Sequence, residues 1–315
     1  MDTVENLASR TALTKNNLIE MIGITESKYY GWKRRYGEEN KHNARLPKSH
    51  WLLPEEKEKI REYCKGRIHK SGYRVLCYEM LDKDIVAVSP TTVYRVLDEA
   101  DMIVKKKDKE VHTSKKGSGY DQPQEPHEHW HIDISYIKVS KNNYFLISVL
   151  DGYSRYILSH DLRVSMETRD VELVIQEAID KYEPKNIRLI SDNGSQFISN
   201  QFKTYINEVA ETELLNGEFN HVSTSVNYPQ SNGKIERFHR TIKEESVRRE
   251  SYLSLEDARE KIADYIEYYN TERLHSSLDY LTPEDRLYGR EKARKQERKQ
   301  KLEDAKKVRR KVRNG

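Results

Sequence analysis

The sequence predicts an α/β layer on a mixed five-stranded sheet with flanking helices, preceded by all-helical units and followed by a basic tail. Three observations predict it. Up to residue 103 the apolar residues recur at helical spacing and are punctuated by cap signals. Residues 104–128 lose that periodicity and are rich in Lys, Gly, Pro and Gln, as a linker is. From 129 the alternation becomes that of strands, and helical stretches then interleave with further strands.

In the head, Leu18, Ile19 and Ile22 give a first helix its apolar face, and Gly23 breaks it. Thr25 stands at an N-cap position before a helix rich in Lys, Arg and Tyr. Helix, glycine-containing turn and basic helix form the helix-turn-helix pattern, which places Lys28, Tyr29, Lys33, Arg34 and Arg35 near DNA. A second such unit comes next. Leu53-Pro54-Glu55 opens a helix to about Lys65, residues 72–81 form another, and Ser89-Pro90 caps a third. That third helix offers Thr91, Thr92, Tyr94 and Arg95 to a groove, with Val93 and Val96 inward. A plain helical bundle explains the apolar positions equally well; the basic and hydroxyl-bearing outer positions favour DNA. The expected domains are 1–45, 46–103, a linker at 104–128, an α/β core at 129–290 and a tail at 291–315.

In the core, 129–140, 144–156 and 157–165 read as a three-stranded antiparallel meander with the turn at Lys141-Asn142-Asn143. Beyond it come a helix over 166–182, a strand over 186–192, a helix over 199–210, a short strand over 221–226 and a long helix over 234–249. A further helix covers 254–273, and the tail is helical or disordered.

Composition bounds the function. The 315 residues carry 34% charged and 36% hydrophobic side chains. No apolar run approaches the roughly 18 residues of a membrane span, so a cytoplasmic, nucleoid-associated protein with no membrane partner is expected. The net charge of +4 conceals +6 in residues 1–120, −10 in 121–290 and +8 in 291–315. Basic ends around an acidic centre imply a polyanionic partner gripped mainly by the ends. Cys64 and Cys77 lack paired metal-ligand spacing and read as free thiols.

Three carboxylates stand out by placement. Asp133 lies mid-strand between Ile132 and Ile134, on the face opposite both. Asp192 sits just past a strand's carboxyl end, and Glu236 occupies the first turn of a helix. Each alone is equally a surface strand Asp, a turn Asp and a helix-start Glu. The words around them, WHIDIS, LISDNGSQF and YPQSNGKIERFHRTIK, resemble the catalytic blocks of retroviral-integrase-like insertion-sequence transposases. DGYSRY (151–156) and YYNTERLHSSLDYLTPEDR (268–286) resemble two further blocks, so the likeness spans most of the chain. The 43 residues between Asp192 and Glu236 exceed the family's interval, and the excess is assigned to 208–220 around the Asn216-Gly217 turn signal.

The resemblance implies a ribonuclease-H-like core and phosphoryl transfer with Asp133, Asp192 and Glu236 as catalytic and metal-holding residues. Two Mg²⁺ ions, with Mn²⁺ as a substitute, would bind these oxygens. Arg240 and Lys243 lie four and seven residues beyond Glu236 on the same helix face and would hold DNA, as would Tyr228 and Gln230 in the preceding loop. The expected function is end recognition, phosphodiester hydrolysis and strand transfer by a homo-oligomer, at least a dimer, on double-stranded DNA. A sequence-specific DNA-binding regulator with an inactive core is the alternative.

Overall fold

The computed structural model describes residues 2–37, 51–103, 122–212, 214–215, 217–224 and 232–314. Contacts divide the chain into two compact units, 1–51 with the last three residues, and 52–312.

The first unit contains α1 (Asp2–Arg10), α2 (Lys15–Met21) and α3 (Glu26–Arg34). Gly23 ends the turn after α2 with φ of 73°, where a side chain would be strained. Leu18 and Ile19 are buried with Val4 and Tyr29. Two expectations are corrected here. Ile22 is 49% exposed, because the helix closes one residue earlier and Ile22 turns away with the cap. Tyr29 is 2% exposed, because the unforeseen α1 covers it, and its hydroxyl donates to Glu5 at 3.3 Å. Glu5 also pairs with Lys15 and Lys33, which hold its carboxyl down at about 2.

The second unit begins with α4 (Pro54–Cys64), α5 (Tyr73–Asp82) and α6 (Pro90–Glu99). Pro54 sits where its missing N–H costs nothing, and the Leu53 N–H donates to Glu56 Oε2 at 2.8 Å. Ser89 Oγ accepts from the Thr92 N–H at the start of α6. Ile60, Leu76, Met80, Val93 and Leu97 fill the core of this bundle with both cysteines. Burial pushes the Cys77 thiol up to about 12 and the Cys64 thiol to about 11, so both stay protonated and free.

The sheet holds β1 (His129–Val139), β2 (Asn142–Asp151), β3 (Ile157–Arg163), β4 (Ile187–Ser191) and β5 (Phe219–Ser223). Its order is β3-β2-β1-β4-β5. The first three strands are antiparallel, while β1, β4 and β5 run parallel: the mixed, ribonuclease-H-like arrangement expected. The β1–β2 turn is Ser140-Lys141, one residue earlier than expected, since Asn142 already pairs with Val139 and Ser140 accepts a φ of 55°.

Two apolar layers sandwich the sheet. Trp130, Ile132, Ile147 and Val149 pack on one face against α7 (Thr168–Tyr182) and α9 (Asn200–Ala210). Ile137, Leu146, Leu150 and Ile157 pack on the other against α10 (Gly233–Ile242) and α11 (Leu255–Thr271). A short α8 (Ser195–Ile198) joins β4 to α9. Beyond Ile242 the helix widens into a five-residue π-helical segment, Lys243–Val247, which sequence periodicity does not announce.

After α12 (Pro283–Leu287) the tail is a 24-residue helix, α13 (Glu291–Asn314). Its inner face is polar. Arg298 grips Asp82 through two hydrogen bonds of 2.8 and 2.7 Å, and lies over the Tyr78 ring at 4.8 Å. Arg309 does the same to Glu56 and donates to the Ala87 carbonyl at 2.7 Å. Both guanidiniums are buried, so α13 binds the α4–α6 bundle through charge pairs in place of an apolar stripe.

Candidate active site

The pleat of β1 sends Ile132 toward α7 and Asp133 toward α10. Asp133 stands opposite Ser148 on β2, a fully buried serine. Its Oδ1 accepts from the Ile134 N–H at 2.9 Å, and its Oδ2 lies 3.2 Å from His239 Nδ1. An ionised carboxylate only accepts, so His239 carries its proton on Nδ1 and presents Nε2 to Ser148 Oγ at 3.4 Å. His239 is 5% exposed and falls outside the residues that the sequence singles out. A signal for it is present: it lies four residues after Ile235, on the face of α10 that Ile235, Phe238 and Ile242 turn to the core.

Glu236, exposed in the first turn of α10, opens onto the same cavity as Asp133, a space of about 370 Å³. Arg240 and Lys243 line it as the helix spacing predicts. Burial pulls the Lys243 ammonium below its ordinary value, with the Asp133 charge partly opposing. Among the described residues neither cation is ion-paired to Glu236. Arg248 joins them because the π-helical segment adds a residue to the turn and rotates the residues beyond it.

Asp192 is placed differently. It lies just after β4, is exposed, and its Oδ1 accepts from the Gly194 N–H at 2.9 Å. Ser191 Oγ bonds His221 Nε2 at 2.8 Å, and Asn193 Nδ2 donates to the Thr224 carbonyl at 2.7 Å, fixing the loop around it. Asp192 does not line the cavity, and the described residues contain no group of three His, Cys, Asp or Glu placed to hold a metal ion. The β1–β4 register runs to the pair His131 and Ile190, and Asp192 follows the last residue of β4, Ser191.

The other motif words hold the fold around this site. Asp151, fully buried, accepts from the His127 N–H and from the Ser154 N–H and hydroxyl. Position 152 is glycine because a Cβ there would sit 2.9 Å from the His129 carbonyl and from His131 Nε2. Asn270 exchanges two hydrogen bonds with the Ile157 backbone, and Arg273 grips Glu245 at 2.7 and 2.8 Å.

Of the residues expected to touch DNA, Lys28 and Arg34 are exposed on α3 and Arg35 just past its end, while Lys33 pairs with Glu5 at 2.6 Å. On α6, Thr91 and Arg95 are exposed, Thr92 bonds Ser89, and Tyr94 packs edge-on against Tyr73. Tyr228 and Gln230 lie outside the described residues, as does most of the 104–128 linker.

Two family models, each described as an integrase core domain, match residues 123–211 and 218–283. The chain thus carries an integrase core domain and resembles integrase-like insertion-sequence transposases. The break between the two matches falls inside 208–220, the stretch to which the sequence reading assigns the excess length. The transposase of insertion element IS904 from Lactococcus lactis is 27% identical over 55% of this chain and 70% of its own length. That of IS629 from Shigella sonnei is 24% identical over 84% and 88%. Matches to several others, such as a Spiroplasma virus integrase, span about half of their length. The HTLV-2 integrase catalytic core, solved with magnesium, is similar at 17% identity with a TM-score of 0.40, over 52% of this chain and 97% of that one. No helix among the described residues is long and apolar enough to cross a membrane.

Proposed function

We propose that this chain is a transposase that binds the terminal inverted repeats of a mobile element, hydrolyses a phosphodiester there and joins the freed end to target DNA. The observation that carries the proposal is the shared cavity of Asp133 and Glu236, rimmed by Arg240, Lys243 and Arg248. Acidic oxygens at its floor and cations at its wall suit a phosphodiester approached by a divalent ion.

The donor set fits Mg²⁺ or Mn²⁺. Asp133 and Glu236 offer hard carboxylate oxygens, and Asp133 is oriented by a histidine and a backbone N–H, as ligating carboxylates usually are. Asp192 is assigned to the set from its motif, and it would join the other two when DNA and ions bind. Bound ions would activate the attacking oxygen and stabilise the leaving one. The chain's own residues do the rest. His239 fixes the Asp133 carboxylate, and Arg240, Lys243 and Arg248 hold strand phosphates beside it. The helix-turn-helix units read element ends through Lys28, Arg34, Arg35, Thr91 and Arg95. Joining two ends requires two copies, so the active form is at least a dimer.

Asp133→Asn and Glu236→Gln should each abolish Mg²⁺-dependent cleavage of element-end DNA by purified full-length protein while end binding persists. Cleavage retained by either variant would remove the assignment.

A further inference from the structure

A second cavity, of about 660 Å³, lies on the other flank of α10. The helix serves both spaces: Glu236, Arg240 and Lys243 line the first, whereas Lys234, Arg237 and Thr241 line the second. Arg155, Arg273 and His275 close it from the β2–β3 loop and the segment after α11.

No acidic side chain is among the described residues that line it. The two carboxylates with most influence there are already engaged. Asp151 accepts two hydrogen bonds from Ser154 in its own loop and one from the His127 N–H ahead of β1, and Glu245 is held by Arg273 and Tyr265. Among the described residues, Arg155, Lys234 and Arg237 therefore have no carboxylate within ion-pair distance. Among the described residues Lys234 donates to the Gly152 carbonyl alone, at 2.8 Å. Crowding of cations shows in the neighbours: burial, with Arg273, Arg155 and Arg237 nearby, drives His275 down to about 3. An anion would relieve this crowding, and the amino end of α10 at Gly233 opens on the same space.

We infer that this cavity seats a backbone phosphodiester of the DNA strand that crosses α10, away from the phosphate at Asp133 and Glu236. Arginine forks and an ammonium match phosphate oxygens, which only accept hydrogen bonds. An α-helix with its side chains is about 10–12 Å wide, so a strand straddling α10 brings separate phosphates to its two flanks. This inference rests on the transposase proposal for its choice of DNA as ligand.

The test measures binding of full-length protein to a fluorescent duplex without divalent metal, so that no cleavage intervenes. The slope of log affinity against log salt reports phosphate contacts, about 0.9 each on B-DNA. Arg237→Gln, at an exposed position, and the double variant with Lys234→Gln should lower the slope by about one contact with an unchanged melting temperature. They should also leave inorganic phosphate binding, read by calorimetry, no stronger than in the parent. A double variant with the parent's slope overturns the inference. So does loss of inorganic phosphate binding with an unchanged DNA slope, which would mark a free-ion site. Because no cleavage is read, failure here is separate from failure of the Asp133 and Glu236 assignment.

Discussion

His239→Phe isolates the contact that the sequence left unmarked. Phenylalanine keeps most of the bulk of a side chain that is 5% exposed, and removes the 3.2 Å contact to Asp133 and the 3.4 Å contact to Ser148. A hydrogen bond to a charged group contributes about 1.5–3 kcal/mol. At 3.2 Å this one is longer than the usual charge-assisted distance, which favours the low end, about 1.5 kcal/mol. That energy corresponds to about a tenfold change in an equilibrium constant. If His239 acts by holding the carboxylate for a metal ion, the Mg²⁺ concentration for half-maximal cleavage should rise about tenfold. The lower edge of the effect of outer partners on metal affinity is the same. Cleavage at saturating Mg²⁺ should largely recover. His239→Asn, whose amide donates a hydrogen bond, should restore much of the midpoint. A Mg²⁺ midpoint unmoved in a Phe variant of normal melting temperature would refute the positioning role.

Two further outcomes rest on the fold. Arg309→Ala leaves the Glu56 carboxylate without its partner in a site where the guanidinium is 3% exposed, so chemical denaturation should show a loss of about 3 kcal/mol; a change under about 0.5 kcal/mol would mean that α13 is not clamped there. His275, held at about 3 by burial and by Arg273, Arg155 and Arg237, stays neutral in the folded chain while the unfolded chain protonates below about 6.5. Stability should therefore fall as pH drops from about 6.5 toward 3, by about 1.4 kcal/mol per pH unit from this group. His275→Gln should flatten denaturation midpoints measured between pH 6.5 and 5, and parallel curves for parent and variant would count against the buried, neutral histidine.

The strands were legible because β1 alternates over much of its length and β2 is a short apolar run, both bounded by polar turns, and α6 because Ser89-Pro90 states its start. Asp133 was legible as a residue facing away from Ile132, and Glu236 with Arg240 and Lys243 as one helix face. What sequence periodicity missed depends on contacts far along the chain. Tyr29 looks like a groove-facing aromatic until α1 covers it. Arg248 reaches the cavity only through a π-helical turn, which no 3.6-residue pattern encodes. His239 was hidden because a buried polar residue on an apolar face is decided by what stands opposite, here Asp133 and Ser148. Asp192 was chosen from its motif, and its place off the cavity reflects a loop whose direction is set by Ser191, Asn193 and Gly194.

The grip of α13 on the bundle has a consequence for the order in which the chain is made. Glu56 and Arg309 are 253 residues apart, and Asp82 and Arg298 are 216 apart. Contacts of such separation form late, after the intervening layers have closed. During synthesis the α4–α6 bundle leaves the ribosome long before its partner helix exists, with Asp82 and Glu56 facing water. It is locked only when α13 arrives on the sheet that precedes it in the chain. A nascent or truncated polypeptide thus has the α4–α6 bundle without the latch that α13 supplies, and latching reports that the whole sheet has been built.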